Sequence, residues 1–360
     1  MNYLLPFSEF GLYLLFSTLV GHIVLQFVPD LKKPTNKLPK SVLLLCTLGI
    51  IVFTFIPLLQ LIFLFKESVG IKTAALSVLT DFQIGRAWIA ISVLSLLLWI
   101  MIYLESDKLY QSLCVLLMIL AVGSASHVAS LSFLPGIYSH SIHFLMVTGW
   151  VGVLLHVSWF SKDQSNWLSF LRWFTPFASI CLLVILISGF ILMYFVVEPK
   201  QYINSWAVPY GRMLLIKHIS IVPVIVFAFI NGMLTKKSAT LSNFDPRPWV
   251  KGESIILMLV FFSTAVMGML SPPHEIDLVS KSVTKPTWIE WLLVNQKLAI
   301  THIGFSPSIP SILLIILSLL FLFLIIASFR KVNAVIAILL GVGFIITIYL
   351  GLMFSVVLYN

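Results

Sequence analysis

Charge is what this sequence has least of. Of its 360 residues only 10% are charged and 60% are hydrophobic, where a soluble domain carries roughly 25% charged residues. Acidic side chains are the scarcer kind, with 13 Asp and Glu against 22 Lys and Arg and a formal net charge of +9. Cysteine is also sparse. Cys46, Cys114 and Cys181 lie in or at the edge of apolar runs and form no CxxC, so neither a disulfide framework nor a thiolate zinc site is expected. A Gly-rich nucleotide loop, a Walker A motif and a phosphorylatable Asp motif are all missing, which argues against ATP-driven pumping. No soluble domain and no close internal repeat stand out.

What is present is apolar sequence in repeated stretches of about 20 residues, separated by short polar connections. That pattern means an all-α, polytopic helical membrane protein. Hydropathy places ten spans near 7–28, 41–65, 85–104, 111–132, 139–160, 172–197, 210–234, 250–270, 309–329 and 333–357. Lys32, Lys33, Lys37 and Lys40 follow span 1. Lys236, Lys237, Arg247 and Lys251 follow span 7, and Arg330 with Lys331 follows span 9. All three clusters fall on one side of a ten-span chain, which makes that side cytoplasmic, puts both termini outside, and accounts for the positive charge without nucleic acid. The first apolar run has an acidic and aromatic start and no basic n-region, so it is expected to be a span and not a cleaved signal. The connection Ser271 to Ser308 is then external. Its Trp288, Trp291 and Leu292 suit either a short interfacial helix or an ordinary loop.

Eight histidines are present, and three of them, His127, His143 and His218, fall inside apolar runs toward the external face. An imidazole in hydrocarbon needs a metal, a haem, a proton path or a polar neighbour. At 1.5 Å per helical residue, His127 and His143 are expected within roughly 6–8 Å of the outer boundary and His218 roughly 12 Å below it. Met146 stands three residues after His143, on nearly the same helix face. Imidazole with thioether suits Cu(I), and imidazole also suits Cu(II) and other borderline metals. His140, His274 and His302 are expected outside, where they would collect metal at an entrance or do nothing. Met193, Met213, Met267 and Met269 lie toward the outer ends of spans 6 to 8, as a soft-ligand route or as ordinary helix filling.

A second level lies deeper. His22 and His156 are both expected roughly 24 Å from the external boundary. They suit a lower metal site. They also suit one of two stacked haems, with the other held by His143 and either His127 or His218. The rise of about 20 Å from His143 to His156 fits such a stack, but thirteen residues leave the two imidazoles roughly 140° apart on an ideal helix. Asn231 and Glu253 read as a structural hydrogen-bonded pair or a helix terminus. Lys217 is positive beside His218 and is not expected to be a ligand.

These residues carry a resemblance. VLTDFQIGRAWI, SASHVAS, IHFLMVTGWVGVLL, YGRMLLIKHISIVPVIVFAFING and WVKGESIILMLVFFSTAVMGMLSPP are similar to stretches of the copper resistance protein D (CopD) family, including the related YcnJ copper-uptake proteins. The order and spacing of His127, His143, Trp150, Gly152, Tyr210, Lys217, Asn231, Glu253 and Pro272 are family-like. The resemblance divides the chain into an N-terminal helical pair (1–70), a CopD-like core (75–273), the external connection (274–308) and a C-terminal helical pair (309–360). It implies copper movement across the inner membrane of a bacterium, with His127 and His143 handling copper. Span 4 reads Ser-His where the family is expected to read Gly-His. No CopC-type soluble domain precedes the membrane region, so an extracellular copper-binding partner would be a separate chain.

Three readings follow. In the first, copper enters at His127, His143, Met146 and His218 and passes inward toward His22 and His156. In the second, the chain is a b-type haem protein with bis-His ligation by His22, His156, His143 and His218, transferring electrons or linked to quinone. In the third, it is an assembly factor that binds copper for a copper enzyme without moving it.

Overall fold

The computed structural model describes residues 4–36, 38–234, 245–273, 302–331 and 333–359. Helix α1 (Leu4–Gln26) is followed by α2 (Lys40–Val69), a short α3 (Ile71–Thr80) and α4 (Gln83–Tyr103). Then come α5 (Lys108–Ser124), the five-residue α6 (His127–Leu131), α7 (Phe133–Trp159) and α8 (Trp167–Val196). Helix α9 (Pro209–Phe229) ends in a π-helical turn, Ile230–Leu234, and α10 is Arg247–Met267. The chain closes with β1 (His302–Phe305), α11 (Ile309–Lys331), α12 (Ala334–Met353) and β2 (Val356–Tyr359).

Among the described residues, nine helices are long and apolar enough to cross a membrane. They are α1, α2, α4 and α7 to α12, with α9 counted together with its π turn. The protein is therefore an all-α, polytopic helical membrane protein. Large apolar side chains such as Leu183, Phe190 and Phe323 lie exposed on helix faces, as lipid contact requires.

The expected fourth span, 111–132, is not one helix. It breaks after Ser124, and the Ser126 side chain caps α6 by accepting from the Ala129 N–H. Small polar residues in Gly-Ser-Ala-Ser favour such a cap over continued helix. The expected fifth span starts earlier than hydropathy suggests, at Phe133 and not near 139, because Pro135 and Gly136 sit in the first turn, where proline is tolerated. The last span ends at Met353, and the β-branched pair after it enters the two-stranded antiparallel sheet, with His302 opposite Tyr359 and Phe305 opposite Val356. The proposed interfacial helix at Trp288, Trp291 and Leu292 lies outside the described residues, as do His274, Lys37, Lys236 and Lys237.

Helices α1 and α7 run through the middle. On one side α1 packs with α2, α4 and α5 around Phe16, Ile50, Leu98 and Met118. On the other, α7 packs with α8 and α10, and α9 and α12 lie against α10. The α1–α7 contact is backbone on backbone. A Cβ on Gly21 would collide with the Gly152 carbonyl, and a Cβ on Gly152 would collide with the Ser17 carbonyl. Only glycine at both places permits this approach, and it brings together His22, next to Gly21, and His156, one turn beyond Gly152.

Candidate metal centre

The outer polar group is built on α7. His140, His143 and Met146 recur at three-residue intervals and form an inclined stripe on the helix. His143 stands ten residues into α7, roughly 15 Å below its start. Its Nδ1 lies 3.1 Å from the Ser188 hydroxyl on α8. Ser188 donates its own proton to the Val184 carbonyl at 2.6 Å, so it accepts from the imidazole. The network thus assigns His143 the Nδ1–H tautomer and leaves the Nε2 lone pair free for a ligand. The ring lies against Gly189.

His218 on α9 is fixed in a similar way, with its Nδ1 2.7 Å from the Tyr202 hydroxyl. His140 stacks on Phe144 with ring centroids 6.3 Å apart, and its Nδ1 is buried with no hydrogen-bond partner. Lys217 is the common neighbour of all three, within electrostatic reach of His140, His143 and His218. Met146 packs against the main core.

His127 is the first residue of α6 and is exposed. Gly136 at the start of α7 touches the Ala129 backbone, so His127 sits beside the first turns of α7, above His143. The residues expected to form a loop extend α7, so His143 stands ten residues from the start of that helix while His127 lies beside the start. Val128, next in sequence, packs in one cluster with Leu214, Met193, Met267 and Tyr210. Two of the expected soft-ligand thioethers are therefore gathered beneath α6. Among the described residues no three His, Cys, Asp or Glu side chains come within reach of one ion. The outer imidazoles form a descending series of single donors, not a closed shell.

The inner pair is tighter. His22 and His156 have ring centroids 6.3 Å apart and planes inclined by 30°. His156 is fully buried. Its Nδ1–H donates to the Gly152 carbonyl at 2.8 Å, which leaves Nε2 as the lone-pair nitrogen, buried and without a partner. His22 Nε2 accepts from the Gln26 amide at 2.8 Å, and the Gln26 Oε1 is itself buried without a partner. Beside His22 a cavity of about 430 Å³ opens between α1, α2 and α5, lined also by Lys40, Glu105, Asp107 and Lys108.

The expected Asn231–Glu253 bond forms. Asn231 donates to the Glu253 carboxylate at 2.7 Å and to the Trp249 carbonyl at 3.2 Å, tying the π turn of α9 to α10. With Trp150 they line a mostly apolar cavity of about 290 Å³ that also includes Thr175 and Ser179. Sequence reasoning missed several participants. His140 was expected in an external loop and lies inside α7, and its three-residue spacing to His143 was the available signal. Glu9 of α1, within electrostatic reach of Tyr13, is the only acidic residue of the first span. Ser188 and Tyr202, which orient two of the imidazoles, carry no sequence signal.

This is a polytopic membrane protein with imidazoles held at two depths between its helices. Residues 168–267 match the family described as copper resistance protein D (CopD). The match runs from α8 through α10 and contains Ser188, Lys217, His218, Asn231 and Glu253. It does not extend over α5 to α7, so His127, His143 and His156 stand outside it. No curated protein and no solved structure matches the chain.

Proposed function

We propose that this protein carries copper into the cell across a bacterial plasma membrane. One observation carries the reading. The CopD-matched helices α8 and α9 supply Ser188, which is hydrogen-bonded to His143 of α7, and Lys217, which lies within electrostatic reach of both His143 and His218. Copper would be met at exposed His127, pass the thioethers of Met193 and Met267, and reach the Nε2 of His143 with Met146 and His218 nearby. Imidazole and thioether donors suit Cu(I). A descending series of weak sites is what conduction requires, since one tight site would trap the ion. A separate extracellular copper-binding protein would deliver the metal.

The experiment is copper accumulation in cells expressing His127→Ala or His143→Ala at equal protein level. Each variant is expected to accumulate less copper than the parent. Unchanged uptake in both would sink the reading. Copper flux into liposomes containing the pure protein separates transport from an assembly role, which would bind copper and move none.

The haem alternative meets a steric objection at the inner pair. The Gly21 and Gly152 backbones touch beside the pair, which crowds the space a planar macrocycle would need between His22 and His156. The absorption spectrum of the purified protein is expected to lack a Soret band, and a Soret band would reinstate haem.

A further inference from the structure

We propose that His22 and His156 form a Cu(I)-binding site at the inner end of the helix bundle, from which copper leaves through the cavity beside α5. The proposal rests on the copper reading above, and it adds a site that the CopD match does not reach.

The separation of the two rings is that of a pair able to share one ion after a side-chain rotation. An imidazole nitrogen binds a metal of this size at roughly 2.0–2.1 Å, so two imidazoles sharing one ion have ring centroids roughly 6 Å apart. The observed separation is 6.3 Å. Close contact of Gly21 with Gly152 holds α1 against α7 beside the pair. The tautomer is set as well. His156 spends its Nδ1–H on the Gly152 carbonyl, and its buried Nε2 lone pair has no donor to meet. A buried acceptor without a partner is costly, and a bound cation removes the cost.

The residue that governs the His22 lone pair is one helical turn along α1. Gln26 presently gives its amide N–H to His22 Nε2, while its Oε1 is buried and without a partner. Rotation of this amide frees the His22 lone pair for the ion. No carboxylate or thiolate joins this set, so the donors are all neutral. In a low-dielectric interior the cost of an uncompensated ion rises with the square of its charge, which favours a monovalent ion over a divalent one. Imidazole donors and a single positive charge together select Cu(I).

An exit is in place. His22 and Gln26 both line the cavity of about 430 Å³, and Glu105, Asp107 and Gln111 line it further out. Its rim carries Lys40, which pairs with Glu105 at 2.8 Å. This is the side of the basic connection after α1, the cytoplasmic side by charge distribution.

The test is anaerobic titration of the full-length protein in detergent with Cu(I), in competition with a chromogenic Cu(I) chelator, together with X-ray absorption at the copper edge. His156→Gln and His22→Gln are each expected to lose one equivalent of Cu(I) per chain with an unchanged gel-filtration profile. His143→Ala is expected to keep that equivalent, and excess Zn(II) is expected not to displace it. The proposal is overturned if both glutamine variants bind as much Cu(I) as the parent, if the parent binds none, or if Zn(II) displaces it. Should one variant fail to fold, the other still decides. Failure of the transport reading looks different: uptake unchanged in His127→Ala and His143→Ala, with the inner equivalent still bound.

Discussion

Ser188 sets the tautomer of His143. The hydroxyl gives its proton to Val184 and receives the imidazole Nδ1–H at 3.1 Å, so Nε2 is the nitrogen available to a metal. Partners of this kind, one bond beyond the ligand, typically govern 10–100-fold in metal affinity. Ser188→Ala is therefore expected to weaken Cu(I) binding at the outer group by about tenfold while the fold is kept. Chelator competition on the purified variant reads this directly. An unchanged affinity would mean that His143 is held by packing alone.

Lys217 presents the opposite case. Its amine neighbours His140, His143 and His218, where a positive charge opposes a cation. Lys217→Met is expected to tighten Cu(I) binding at the outer group by about tenfold, which is about 1.4 kcal/mol. If conduction depends on weak binding, the same variant transports more slowly despite binding better. Affinity and liposome flux measured on one preparation separate the two effects. Weaker binding in the variant would show that Lys217 orders the site.

The class of the protein was legible because hydrophobicity is a bulk property. A run of about 20 apolar residues has few alternatives to a spanning helix, and each of the ten expected spans contains a helix. The helix ends were less legible. Hydropathy cannot see that Ser126 caps a new helix, or that Pro135 and Gly136 fall in the first turn of α7, so His140 was assigned to a loop. The inner pair was legible in depth but not in contact. An ideal-helix phase between His143 and His156 says nothing of the Gly21–Gly152 crossing, which is a property of two helices distant in sequence. Ser188 and Tyr202 were invisible for the same reason: serine and tyrosine are common in membrane helices, and only tertiary contact gives them a role.

Asn231 and Glu253 supply a test of the scaffold. Glu253 is 2% exposed and Asn231 5% exposed, and the 2.7 Å bond between them is buried. Removing one partner leaves a buried polar group unsatisfied, a loss of about 1–3 kcal/mol. Asn231→Ala and Glu253→Ala are each expected to lower thermal stability in detergent. The double variant is expected to lose less than the two added together, with a coupling of about 0.5–3 kcal/mol. Strict additivity would show that the two residues act independently.

The Gly21–Gly152 contact links stability to the inner site, so one substitution moves both. A methyl at Gly152 collides with the Ser17 carbonyl and with the Gly21 backbone, neither of which can swing aside as a side chain would. Overpacking of this kind costs about 1–3 kcal/mol, and the relief available is separation of α1 from α7. Gly152→Ala is therefore expected to lower the melting temperature and to abolish Cu(I) binding between His22 and His156, while the outer group still binds. Gly149→Ala on the same helix is the control, because a Cβ there meets Phe177 at 3.6 Å, an ordinary contact. It is expected to change neither property. Full Cu(I) binding in Gly152→Ala, with the stability loss observed, would mean that the imidazoles do not depend on the helix crossing for their spacing.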